Sequence, residues 1–151
     1  MGCDIHLVLE KKWNDRWVGV TDFPYVPVQV YGGAPDYKTV RGYPHYDVRS
    51  RDYDLFARLA GVRGAGPEPR GLPDDVSDLA RMEVERWDSD GHSHSHCSLQ
   101  EFVQAKLASD APEKMLVEND PRTQDPYYHY FGIGKDELAE AEYRVVFWFD
   151  N

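Results

Sequence analysis

The C-terminal run "EYRVVFWFDN" at 142–151 constrains the fold more than any other segment of this chain. Apolar residues fill both alternations from Val145 to Phe149. A strand exposed on one face would alternate with polar residues, so this one must be covered on both faces, at the centre of a sheet. Residues 3–12 supply a neighbour. Cys3, Ile5, Leu7 and Leu9 fall on one side and Asp4, His6, Val8 and Glu10 on the other, the period of a half-buried strand. Asp4 and His6 therefore share a face. Asn14 and Asp15 provide turn chemistry before Trp17–Val20, which makes 3–20 a β-hairpin. The expected architecture is α+β: a mostly antiparallel sheet with the N- and C-terminal strands adjacent, packed by three to four helices and long loops, within a single domain over 1–151.

Between these strands the chain changes character several times. Tyr25 to Tyr31 reads as a strand that Pro27 confines to an edge or bulge. Residues 32–49, rich in Gly, Pro, Tyr and Asp, show no apolar period and form an unusually long connection. Ser50 or Asp52 can cap a helix carrying Leu55, Phe56 and Leu59 and ending at Gly61. Gly61 to Pro73 is a loop, and 75–87 reads as a second helix with Leu79, Met82 and Val84. Ser98 and Glu101 make a capping box ahead of Phe102, Val103 and Leu107. Residues 110–134 have loop composition, with a short strand at Met115–Val117. No internal repeat is visible.

Charge limits the partners. Asp and Glu number 27 against 17 Lys and Arg, for a net charge of -10 and a pI near 4.9, which argues against a duplex nucleic-acid surface. The excess lies in residues 76–151, with 16 acids to 7 bases, whereas 1–75 carry 11 and 10. An anion site is therefore expected in the first half. The absence of a long apolar run or a basic, apolar leader points to no membrane partner and a cytoplasmic location. Met1-Gly2 opens like a myristoylation signal, but His6 stands where Ser or Thr is required. Cys3 and Cys97 form no C-x-x-C pair and read as buried packing thiols.

Three histidines, His92, His94 and His96, recur at spacing two, which in extended chain points all three the same way. An H-x-H pair with carboxylates suits a transition ion, so Asp4, His6, His92 and His94 are candidate ligands of a divalent metal, with Asp88 and Asp90 nearby; no cofactor is required. The same imidazoles suit acid–base cleavage of a phosphodiester, with His92 and His94 as the catalytic pair. The bland alternative is a Ser/His segment that caps the following helix, preferred for His96 and Ser98. Arg63 and Arg70 flank a Gly/Pro loop, with Arg49, Arg51 and Arg58 before it, and guanidinium forks suit phosphate. No Walker pattern is present. The alternative for these arginines is pairing with the many carboxylates. Tyr53 and the tyrosines at 31, 37, 43 and 46 offer faces for a base, or simply pack at the core rim.

The blocks "MGCDIH" at 1–6, "RDYDLFARLAGVRG" at 51–64, "PRGLPDDVS" at 69–77 and "DGHSHS" at 90–95 together resemble a group of small proteins encoded by phages and prophages. That group has an aromatic residue directly after "HSHS" where this chain has His96, so no role passes to His96. No catalytic residue comes with the resemblance. It implies a setting: accessory phage proteins act against host defence in the host cytosol, often by binding or destroying nucleotide signals.

Three functions follow as expectations. The first is sequestration of a small nucleotide-derived signal, such as a cyclic nucleotide or ADP-ribose derivative, by Asp4, His6, Arg51, Tyr53, Arg63, Arg70, His92 and His94. The second is a phosphodiesterase or metal-dependent hydrolase acting on such a signal through His92 and His94. The third is an acidic module that masks a host factor. A homo-oligomer would suit a small chain whose long loops share a pocket.

Overall fold

A computed structural model describes residues 2–20, 51–110 and 125–150 in full and, in addition, the backbone of two strands at 25–29 and 35–39. The main sheet has four strands: β1 (Asp4–Trp13), β2 (Arg16–Gly19), β5 (Gly91–Ser98) and β6 (Tyr143–Asp150), in the order β2-β1-β6-β5, every pair antiparallel. β3 (Tyr25–Gln29) and β4 (Pro35–Thr39) form a separate antiparallel pair. Among the described residues, five helices accompany them: α1 (Tyr53–Ala60), α2 (Asp78–Trp87), α3 (Leu99–Ser109), α4 (Pro126–Phe131) and α5 (Lys135–Glu140). A 3-10 turn at Asp88–Asp90 joins α2 to β5. The chain is thus α+β, with its N- and C-terminal strands side by side at the centre of the sheet.

β6 is buried from Tyr143 to Phe149, as its two-sided apolar pattern requires. On one face, Phe147 and Phe149 join Ile5, Leu7, Leu9, Phe56, Phe102 and Phe131 in the larger core. On the other, Val146 and Trp148 pack with Val8, Val76 and Ala80 beneath α2. Each fully buried large apolar side chain contributes about 1.5–3 kcal/mol. The hairpin turns at Asn14 and Asp15, both left-handed, at φ 51° and 60°.

The caps were legible. Asp52 accepts from the Leu55 amide at the start of α1, and Gly61 ends it at φ 68°. Ser98 and Glu101 form the expected capping box on α3. Asp52 also accepts from Lys106 Nζ at 2.9 Å and Ser109 Oγ at 2.6 Å, which ties α1 to α3 and fixes the residues on either side of the cap. Burial pushes the Asp52 carboxyl up, but these donors and the Leu55 amide outweigh it and hold the pKa below the ordinary value.

Several expectations need correction. The segment 110–134 is not all loop: α4 starts at Pro126, after Asp125 as N-cap, and ends at Gly132. Proline at the first helical turn forfeits no hydrogen bond, so it starts this helix rather than breaking it. The connection 32–49 contains β4, and the histidine segment is a full strand, β5. The expected strand at Met115–Val117 and the tyrosines at 31, 37, 43 and 46 lie outside the residues described in full.

After α1 the chain folds back so closely that a Cβ on Gly66 would run into the carbonyl oxygen of Ala57. Backbone cannot yield there. Gly66→Ala is expected to cost about 1–3 kcal/mol, seen as a lower urea midpoint at unchanged m-value.

Candidate functional site

The register aligns three strand ends. Asp4 of β1 lies opposite Asp150 of β6, which lies opposite Gly91 of β5. His6 lies opposite Trp148. Because paired residues share a face, Asp4, His6, Trp148, Asp150 and Gly91 line one end of the α2 side of the sheet.

Each charged group there has a defined partner. Arg51, just before α1, donates from Nε to Asp4 Oδ1 at 2.7 Å and from a terminal nitrogen to Oδ2 at 3.3 Å. This fork holds the Asp4 carboxyl below its ordinary pKa. The guanidinium lies directly on Gly2, where a Cβ would overlap it. Arg63, at φ 61° in the loop after α1, sits 5.6 Å over the Tyr53 ring and is close enough to the Cys3 thiol to oppose the rise that burial imposes on its pKa. Tyr53 in turn accepts from the Cys3 amide at 3.4 Å through its hydroxyl. Two guanidinium groups therefore bear on the start of β1 from its two faces, Arg51 on the Asp4 side and Arg63 on the Cys3 side.

His6 pairs with Asp150, Nε2 to Oδ2, at 2.7 Å. Its ring stacks on Trp87 at 4.0 Å and faces Trp148 at 5.9 Å. His94 stacks on Trp148 from the β5 side at 6.4 Å, with the ring planes 18° apart. Burial first, and the neighbouring His92 second, hold the His94 pKa below the ordinary 6.5. Folding therefore favours neutral His94. The unfolded chain binds the extra proton first, so this contribution is complete above pH 6.5 and is lost as pH falls through the lower folded value. Wild-type protein is expected to lose more stability between pH 7 and 5 than His94→Phe does, measured by urea denaturation at each pH.

The three histidines do not point one way. His92 lies opposite Phe149 and Ser95 opposite Phe147, with a register shift between them and Ser93 at φ 55°. This bulge sets two residues, Ser93 and His94, against Trp148 alone. His92 consequently falls on the Phe149 side, 6.3 Å from that ring, while His94 and His96 face the side of Trp148 and Val146. The same-face premise for a His92–His94 catalytic pair fails, because it assumed an unbroken period of two. His92 Nδ1 instead contacts Ser93 Oγ at 2.9 Å.

Arg70 also departs from expectation. Its guanidinium forks onto Glu101 at 3.1 and 2.6 Å and donates to the His96 carbonyl, while its amide donates to Ser95 Oγ. It clamps the loop to β5 and α3 instead of joining Arg63. The fork with Arg70 is the largest cause of the low Glu101 pKa, about 2. His96 is likewise structural, with Nδ1 3.0 Å from the Gly71 carbonyl oxygen.

Among the described residues, no three His, Cys, Asp or Glu side chains gather as a metal ion requires. The candidate set Asp4, His6, His92 and His94 is instead engaged by Arg51, Asp150, Ser93 and the Trp148 stack. Neither cysteine is disposed to be a nucleophile: burial raises the Cys3 thiol despite Arg63, and pushes Cys97 up to about 12.

Trp87, Trp148 and Asp150 complete the site and were not anticipated. Trp148 and Asp150 carry a signal in hindsight, since they continue on β6 the alternation that Asp4 and His6 begin on β1. Trp87 had none. No helix among the described residues is long and apolar enough to cross a membrane. No family model, curated protein or solved structure matches the chain.

Proposed function

We propose that this chain binds and sequesters a small anionic nucleotide derivative, such as a cyclic nucleotide or an ADP-ribose derivative, and acts as a phage-type accessory protein that withdraws such a signal in the host cytosol. One observation carries the reading: in a chain of net charge -10, Arg51 and Arg63 flank the start of β1 from its two faces, with the aromatic group His6, Trp87 and Trp148 on the Arg51 face. Guanidinium forks supply the donors a phosphate needs. Asp4, aligned by Arg51, offers acceptors to ribose hydroxyls. The Tyr53 face is taken by Arg63, so Tyr53 supports the anion side and leaves the flat ring to the His6 group.

A hydrolase remains the second reading on one contact, the 2.7 Å His6–Asp150 pair, which resembles a base held by its orienting carboxylate. His6, rather than His92 with His94, would then be the acid–base group.

The test is incubation of the purified protein with cyclic nucleotides and ADP-ribose derivatives, with and without chelator, followed by mass spectrometry of bound and free fractions. Intact ligand recovered after denaturation is the expected result. A cleaved product would replace sequestration with hydrolysis, and chelator sensitivity would bring in a metal. No binding at micromolar concentration would end the nucleotide reading.

A further inference from the structure

Among the described residues, two buried polar atoms on this face have no hydrogen-bond partner: Nε1 of Trp148, whose residue is 1% exposed, and Nε2 of His94. Buried N–H groups are almost always satisfied in folded proteins, so an orphaned pair on one wall asks for a cause. Both side chains border Gly91. A Cβ there would lie 3.3 Å from Trp148 Cδ1, the carbon bonded to Nε1, 3.4 Å from His94 Nε2 and 3.5 Å from Trp87 Cβ. The missing side chain leaves an atom-sized notch whose wall carries an indole donor and an imidazole nitrogen, with Trp87 alongside.

Trp87 is lightly held. It is the half-buried last residue of α2, a helix that buries only Ala80 of its ten residues. The next residue, Asp88, sits at φ 43° and ψ -125°, a conformation that side chains other than glycine adopt only under strain. Asp88 to Asp90 are exposed. The Trp87 ring lies 4.0 Å from the His6 ring, tilted by 32°.

We propose that Trp87 is the displaceable cover of a nucleobase subsite: a heterocycle takes the place of the indole against His6 and sets a ring acceptor and the adjoining exocyclic group against Trp148 Nε1 and His94 Nε2. The subsite rests on the anionic-ligand reading above, because Arg51 on this face, with Arg63 around the end of the strand, would hold the phosphate of the same molecule. The spacing suits that. Asp4, which Arg51 grips, and His6 are two residues apart on one strand face, about 7 Å, comparable with the span from a 5′-phosphate to its base. The indole can only donate, so it demands an acceptor; neutral His94 can donate or accept.

The experiment is calorimetric titration of the whole protein with adenosine, guanosine and ribose 5-phosphate, with near-ultraviolet circular dichroism to check each variant's fold. A nucleoside is expected to bind without its phosphate. Trp148→Phe, which keeps a ring and deletes the N–H, should weaken it about tenfold. Trp87→Ala should tighten it about tenfold, since the bound state no longer competes with the cover. Gly91→Ala fills the notch and should abolish nucleoside binding while sparing ribose 5-phosphate. Ribose 5-phosphate binding with no nucleoside binding would overturn the subsite and leave the anion site standing. Nucleoside binding without ribose 5-phosphate binding would keep the subsite and remove the arginines' role. Binding of none of the three would overturn both. Weaker nucleoside binding by Trp87→Ala would make Trp87 a wall of the site, not its cover.

Discussion

Glu10→Ala is expected to destabilise the protein by about 3–5 kcal/mol, because it leaves a buried charge without its partner. Glu10 is fully buried on the α2 side of β1, where it accepts from Arg144 Nε and from the Ser77 amide at 2.6 Å. Arg144 is held in place by Asp75 and by the Trp17 ring at 4.1 Å. With alanine at 10, the guanidinium keeps, among the described residues, the more exposed Asp75 as its ionic partner, and the Ser77 amide is orphaned. Ser77 is also the N-cap of α2, so the damage extends to the helix that ends in Trp87. In a domain of this size each kcal/mol lowers Tm by about 2–4 °C, so a fall of about 10 °C is expected by calorimetry. Glu10→Met with Arg144→Met should recover much of the loss, since a well-packed apolar pair avoids the desolvation that both ions suffer. If the double variant were as unstable as the single, the loss would lie in the orphaned Ser77 amide and not in the unpaired charge.

Replacing Arg51 and Arg63 together by alanine is expected to lower affinity for a nucleoside phosphate at least about 100-fold, since a hydrogen bond to a charged group is worth about 1.5–3 kcal/mol. At about 1.4 kcal/mol per tenfold the two together exceed that threshold. Arg51→Lys should retain part of the affinity, because an ammonium keeps the charge and loses the fork. Arg70→Ala is the control. Its guanidinium lies on Glu101 and the His96 carbonyl, level with Val146 and Val8 and so away from the Asp4 end of the sheet, and affinity should stay within about twofold of wild type by a general scatter of surface substitutions. Equal losses in Arg70→Ala and in the Arg51/Arg63 variant would show that general positive charge, not this site, holds the ligand.

Much of the fold was legible because its signals are local. The two-sided apolar run of β6, the alternation of β1, the turn at Asn14-Asp15 and the caps at Asp52, Gly61, Ser98 and Glu101 each depend on residues within a few positions of one another. α4 carries equally local signals in Asp125, Pro126 and Gly132, which the loop composition of 110–134 hides, because proline at the first turn starts a helix whereas further in it would break one.

The site was legible only in part. The residue types and the shared face of Asp4 and His6 follow from the sequence, as does the expectation of an anion site in the first half of the chain. Which arginine reaches that face does not: Arg51 forks onto Asp4, Arg63 lies over Tyr53 on the Cys3 face, and the packing of α3 against β5 gives Arg70 to Glu101. Spacing two in His92, His94 and His96 promised one face, yet a single left-handed residue, Ser93, moves His92 to the other. A bulge is chosen by how β5 registers on β6, and nothing in the five residues themselves encodes it. Trp87 meets His6 across 81 positions of chain for the same reason. The sequence by itself determined the central strands, their faces and the helix ends, since hydrophobic period and capping are short-range. The tertiary structure alone decided which polar side chains meet, since that depends on register and helix docking, which only the assembled core selects.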